Sequence, residues 1–225
     1  YQDVFLAVDG QTTHGWFIPA PQSRGVLLYS HGNGGNISGR MGGIAIWRGL
    51  GFDVLIYDYG GYGNSTGKPS EKRCYQDIRA CWRWLVEEQG IPPERIVLFG
   101  RSLGGAVAAD LAADVTPGAV ILESTFTSAV SLGKEAFPFL PVSLLLRHRF
   151  DTASKIARLT APVLVVHSPD DDVVPYHHGR ALFEQAPEPK TFLEIGGSHN
   201  DGYAETGERY VQSLRSFLDP LFPGE

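Results

Sequence analysis

Two cysteines and one methionine supply all the sulfur of this 225-residue chain. Cys74 and Cys81 lie seven residues apart in a segment with a helical pattern. At roughly 1.5 Å per residue they stand about 10 Å apart along the axis, too far for an unstrained disulfide. The thiols say little about compartment, and nothing in them requires an oxidising one. No stretch approaches the roughly 18 uninterrupted apolar residues of a membrane-spanning helix. Basic runs and basic patches interleaved with aromatics are missing too, so nucleic acid is not an expected partner. The 19 Lys and Arg are outnumbered by 25 Asp and Glu, for a net charge of −6. Repeats, low-complexity tracts and an inter-domain linker are also absent from the sequence. Residues 1–225 therefore read as one unit, long enough for a sizeable core.

Apolar runs of strand length recur near 4–8, 13–18, 25–30, 52–57, 95–99, 119–122, 162–166 and 190–195. Amphipathic or strongly helix-forming stretches lie near 39–50, 71–89, 102–113, 176–185 and 204–218. This alternation predicts an α/β fold, with a mostly parallel eight-stranded sheet covered on both faces. The first two strands have no helix between them and predict an antiparallel edge. Residues 126–158 break the alternation. Segments this long without regular structure are uncommon and usually functional, and this one reads as a short lid. Its Phe137, Phe139, Leu140 and Leu144–Leu146 are expected to line an acyl pocket, to touch a membrane surface, or simply to pack the lid down.

Two stretches read Gly-x-Ser-x-Gly: Gly63–Gly67 and Gly100–Gly104. A nucleophile elbow needs a buried strand before the serine and a helix after it. Ser102 has both, with Ile96–Phe99 upstream and the alanine-rich run from Ala106 downstream. Ser65 has neither, sits among Tyr59-Gly60-Gly61-Tyr62, and reads as a structural loop serine.

A serine hydroxyl is a weak nucleophile and needs a base, itself oriented by an acid. Elbow enzymes place these in the order Ser, Asp or Glu, His. Of seven histidines, only His199 falls late, in the loop Gly196–Gly202 after a strand. His167 ends a strand and reads as a packed histidine. His177 and His178 read as solvated. Neighbours on a helix diverge, and no glutamate lies between spaced histidines as in a zinc-protease motif. The acid belongs in the loop after His167, where Asp170, Asp171 and Asp172 stand in a row. Residue chemistry alone does not choose among them. The glycine-dense loop His31–Asn36 follows another strand and frees N–H groups for an oxyanion. Asn33 and Leu103 are the expected donors. The same loop lacks the third glycine of a dinucleotide fingerprint and the Gly-Lys-Ser/Thr of a P-loop.

Together these motifs resemble the α/β-hydrolases over essentially the whole chain. They resemble in particular a short-lid branch that contains protein-depalmitoylating serine hydrolases and bacterial homologues. Tyr29–Asn36 is similar to the family's oxyanion loop, and Asp58–Gly67 to its tyrosine-rich loop. Gly100–Gly105 is similar to its elbow, Glu123–Phe126 to its strand end before the lid, and Gly197–Asp201 to its histidine loop. The family's His-Gly-x-x-Asp-x-x-Val-Pro pattern runs here from His167 to Pro175 and implies Asp171 as the acid. Two positions depart from it. Ser168 replaces a glycine, and Gly60 replaces an arginine whose salt bridge must be lost or replaced. The resemblance implies a serine hydrolase of carboxylic esters or thioesters, using Ser102, His199 and Asp171 without cofactor or metal. A peptidase or amidase, an acyltransferase and a non-catalytic protein of the same fold are the alternatives. Relatives often carry an N-terminal anchor, and this chain opens on Tyr1 rather than methionine. The setting is left open between cytoplasmic and membrane-associated, with the lid or an N-terminal segment as the routes of membrane contact.

Overall fold

The computed structural model of the protein describes residues 1–224. Its eight strands are β1 (Gln2–Val8), β2 (Gln11–Ile18), β3 (Val26–Ser30), β4 (Asp53–Tyr57), β5 (Ile96–Arg101), β6 (Ala119–Glu123), β7 (Val163–His167) and β8 (Lys190–Glu194). They form one sheet in the order β1-β2-β4-β3-β5-β6-β7-β8. β1 and β2 pair antiparallel, as does β2 with β4; every other pair is parallel.

The parallel strands β3, β5, β6 and β7 are buried along their whole length, because helices cover both faces. Alternate residues of β3 enter opposite cores. Val26 and Leu28 join the side chains of α2 (Glu71–Arg83) and α3 (Leu103–Ala112). Leu27 and Tyr29 join those of α1 (Met41–Gly49) and α9 (Glu208–Leu218).

Boundaries shift from the sequence reading in three places. The helix expected near 39–50 begins as a 3₁₀ turn at Ile37–Arg40 before α1. α2 closes in a wider π turn at Trp84–Glu88. The last helix splits into α8 (Gly202–Thr206) and α9 at Gly207, whose φ of +58° favours glycine.

The segment 126–158 folds into α4 (Ala129–Ala136), the single turn α5 (Val142–Leu145) and α6 (Thr152–Ile156). Only its first two thirds stand away from the body. Phe150, Thr152 and Ile156 are buried, so α6 is part of the globule and not of the lid.

Candidate active site

The strand ends that carry the candidate residues lie side by side. Ser30 of β3 pairs with Gly100 of β5, so the loop after β3 meets the turn after β5. Ser102 occupies that turn with φ +54° and ψ −120°, a strained conformation for a residue with a Cβ. The turn is tight because a Cβ on Gly104 would strike the carbonyl of Ser30, and one on Gly100 the backbone of Gly104. Ser102 is thereby lifted to the top of the sheet, at the N-terminus of α3.

Ser102 Oγ lies 3.0 Å from His199 Nε2. His199 Nδ1 lies 2.9 and 3.0 Å from the two carboxylate oxygens of Asp171. Asp171 also accepts the N–H groups of Val173 at 3.0 Å and Val174 at 2.7 Å. Burial alone would raise its pKa. The hydrogen bonds from His199, Val174 and Val173 outweigh burial and hold the carboxyl below its usual range. It stays ionised, and the imidazole proton is kept on Nδ1, leaving Nε2 free to accept from the serine.

Neighbouring candidates separate cleanly. Asp170 is exposed, whereas Asp172 accepts the backbone N–H of His199 at 3.0 Å. His167 is buried, with Nε2 at 2.9 Å from the carbonyl of Val174 and 3.5 Å from Asp171. Ser65 is buried in its loop, donating to the carbonyl of Asp58 at 2.6 Å and accepting the N–H of His14 at 2.8 Å.

Asn33 and Leu103 flank Ser102 at the head of the cleft. Neither N–H donates to another group among the described residues. The loop that carries Asn33 is braced from the tyrosine-rich segment. Tyr59 donates to the carbonyl of His31 at 2.7 Å, Tyr62 to the Asn33 side chain at 2.6 Å, and Asp58 accepts the N–H of Ile37 at 3.1 Å. The arginine missing at Gly60 is replaced from α2. A Cβ on Gly60 would lie 2.6 Å from the Arg73 side chain, which pairs with Asp77 at 2.7 Å. Asp77 in turn accepts the Gly60 N–H at 2.8 Å.

A cleft of about 450 Å³ opens beside Ser102, with Phe126, Leu132, Leu146, Phe150 and Val173 among its walls. Phe137, Phe139, Leu140 and Leu145 do not line it, which corrects the expectation from sequence. Phe139 is 98 % exposed and Leu145 62 %. The reason is local: Pro138 and Pro141 interrupt the chain, and the single turn of α5 buries only Val142. Cys74 reaches the same cleft, but burial, followed by the Asp77 carboxylate, pushes its thiol up to about 12. It is a poor nucleophile.

His177 and His178 also depart from expectation. His178 is buried, the two rings stack at 4.6 Å, and both Nε2 atoms lie 3.2 Å from Glu135 of α4. This is the one histidine–carboxylate cluster with metal-like spacing among the described residues. Its tautomer speaks against a ligand role. His178 Nδ1 accepts the N–H of Thr127 at 3.2 Å, so its proton sits on Nε2 and faces the carboxylate. The cluster joins α4 to α7 (Tyr176–Gln185) through the hydrogen bond between His177 and Glu135, with His178 packed against it.

Three contributors were not anticipated: Glu71, Asp172 and Arg101. Glu71 accepts the N–H groups of Arg149 at 2.7 Å and Phe150 at 2.9 Å, tying down the segment that returns from the lid. Arg101 donates to the carbonyl of His199. Its place directly before the elbow serine was the available signal for Arg101, and the acidic run was the signal for Asp172.

The comparisons bear on the family and the fold. Residues 21–148 match the Hydrolase_4 family, described as serine aminopeptidase, S33. The chain belongs to that family of α/β-hydrolases. It is 38 % identical over 213 residues to protein Rv2307c of Mycobacterium tuberculosis, covering 93 % of this chain and 76 % of that one. It is 38 % identical over 202 residues to human alpha/beta hydrolase domain-containing protein 17B, covering 88 % and 68 %. Among solved structures, the Pyrococcus furiosus esterase Pf2001 superposes with a TM-score of 0.81 at 18 % identity, covering 99 % and 91 %. That last likeness speaks for the fold alone. Family membership makes the protein a hydrolase.

Proposed function

We propose that the protein hydrolyses carboxylic esters or thioesters through an acyl-enzyme on Ser102. The observation that carries this is the continuous relay from Ser102 through His199 to Asp171, set at the edge of an apolar cleft. Ser102 Oγ attacks the acyl carbonyl carbon while His199 Nε2 takes its proton. The N–H groups of Asn33 and Leu103 receive the oxyanion. His199 then protonates the departing alkoxide or thiolate, and a water repeats the sequence against the acyl-enzyme. Asp171 keeps the ring in the required tautomer and stabilises the imidazolium.

The acyl group fits the cleft between Phe126, Leu132, Leu146 and Phe150, each buried methylene adding up to about 0.8 kcal/mol. An aminopeptidase would need a free carboxylate for the substrate's ammonium group. Among the cleft-lining residues Glu71 is the only acid, and its oxygens are taken by Arg149, Phe150 and Tyr75. That favours esters over peptides. The lid's exposed Phe139 and Leu144, followed in the chain by exposed Arg147 and Arg149, suit contact with a lipid surface.

A fluorophosphonate probe should label the wild-type protein and not Ser102→Ala. In a panel of p-nitrophenyl esters, acyl thioesters and aminoacyl amides, the first two should be cleaved faster. Equal labelling of both proteins, or a preference for amides, would overturn the proposal.

A further inference from the structure

His199 sits in a loop with little intrinsic stiffness. Gly196 and Gly197 precede it, and Gly197 has φ +82°. Two contacts hold the histidine's own backbone: its N–H on Asp172 and its carbonyl on the guanidinium of Arg101. The second is the unusual one. Arg101 is the last residue of β5 and covalently precedes Ser102, so one residue holds the nucleophile by its backbone and the base by its side chain.

The guanidinium is buried and set in place by Glu123 and Tyr203, with Tyr210 holding Glu123. Arg101 pairs in register with Glu123 on β6, and Nε lies 3.5 Å from its carboxylate. Tyr210 of α9 donates to the other Glu123 oxygen at 2.5 Å. The guanidinium also lies 5.5 Å over the ring of Tyr203 in α8. A cavity of about 250 Å³ adjoins it, lined by Arg101, Glu123, Asn200 and Tyr203 among others. Such a cavity leaves the loop room to sag if its tie is cut. A buried ion pair adds little to stability compared with apolar residues of the same shape, so packing alone does not account for it.

We propose that Arg101 is a positioning residue for the base, a role that rests on the hydrolase reading above. Through the carbonyl of His199 it sets the height of the imidazole over Ser102. Glu123 and Tyr210 aim the guanidinium, and neither touches substrate. Displacing a catalytic group by about 1 Å costs on the order of 10²-fold in rate.

The test uses Arg101→Met combined with Glu123→Gln, which removes both charges together, and Arg101→Lys alone. Four readouts are taken: kcat and KM on a short p-nitrophenyl ester, the fluorophosphonate labelling rate, the melting temperature, and the imidazole proton resonance of His199 by NMR. The double variant should lose about 10²-fold in kcat and in labelling rate together, with KM nearly unchanged. Its imidazole resonance should shift, and Arg101→Lys should recover part of the rate. A kcat within about threefold of wild type, or an unmoved imidazole resonance, would overturn the proposal. If the double variant does not fold, Arg101→Lys decides: a loss of about tenfold in kcat at an unchanged melting temperature supports the role, and an unchanged kcat refutes it. A wild-type protein that fails to label would count instead against the hydrolase reading. The imidazole resonance would still report whether Arg101 sets the ring.

Discussion

Asp170, Asp171 and Asp172 are consecutive, yet their oxygens touch different things. Asp170 faces water, Asp171 holds the His199 ring, and Asp172 holds its backbone N–H. Asp171→Asn should lower kcat by about 10³–10⁴-fold, because an amide no longer enforces the productive tautomer. Asp172→Asn should cost about tenfold, since the amide oxygen still accepts the N–H but without charge. Asp170→Asn should change nothing measurable. Steady-state kinetics on one ester with all three variants checks the order, and a crippling loss at Asp170 would break it. The serine and the histidine were legible in sequence because each sits in a glycine-rich turn at the end of a strand. The carboxylate that meets His199 was legible only through a family pattern. Three like residues in a row carry no chemical distinction until the turn from Ser168 to Val174 directs one of them inward.

At the scale of elements, the lid was visible as an interruption between β6 and β7, but its inward face was not. A helix of two or more turns would have displayed a stripe. One turn that starts directly after Pro141 displays none, and the face was decided by where α5 meets Gly133 of α4. There a Cβ would lie 2.8 Å from Val142 and 3.2 Å from Leu146. The consequence separates two sets of residues. Leu132→Ser or Leu146→Ser should flatten the rise of kcat/KM with acyl length from acetyl to dodecanoyl esters, while sparing acetate. Phe139→Ser and Leu144→Ser should leave that profile intact, and should weaken co-sedimentation with anionic lipid vesicles. A flattened profile in the Phe139 variant would mean that the lid closes further over substrate than its resting position indicates. The Gly60 departure follows the same logic on a smaller scale: the space left by a missing arginine is filled by Arg73 from another element, which no local pattern could reveal.

For the whole molecule, the two-faced sheet was legible because fully buried parallel strands read as short apolar runs between helices. What did not show in the sequence is how many ionisable groups the fold encloses. His167 lies under α7, against Tyr176, with Asp171 and His199 facing it from the loops. Burial comes first among its influences and lowers its pKa, outweighing the Val174 carbonyl and Asp171, which raise it. His178 is lowered the same way, again chiefly by burial, with Glu135 opposing. A histidine whose folded pKa is depressed binds fewer protons than the unfolded chain over the interval between the two values. Its stabilising contribution is complete above the unfolded value of about 6.5 and is lost as pH falls toward and through the folded one. Asp171 adds a second and more acidic window, because its depressed pKa contributes stability above about 3.9 that is lost below it. The melting temperature should therefore be flat above about pH 7 and fall as the pH drops below about 6.5. A loss of about 1 kcal/mol there would correspond to about 2–4 °C for a chain of this size. His167→Gln keeps a donor for the Val174 carbonyl and removes the titration, so it should shallow that limb while leaving the steeper fall below about pH 4 in place. Melting curves at half-unit pH intervals decide it. A limb of equal slope in the variant would assign the acid sensitivity to His178 and its contact with the lid.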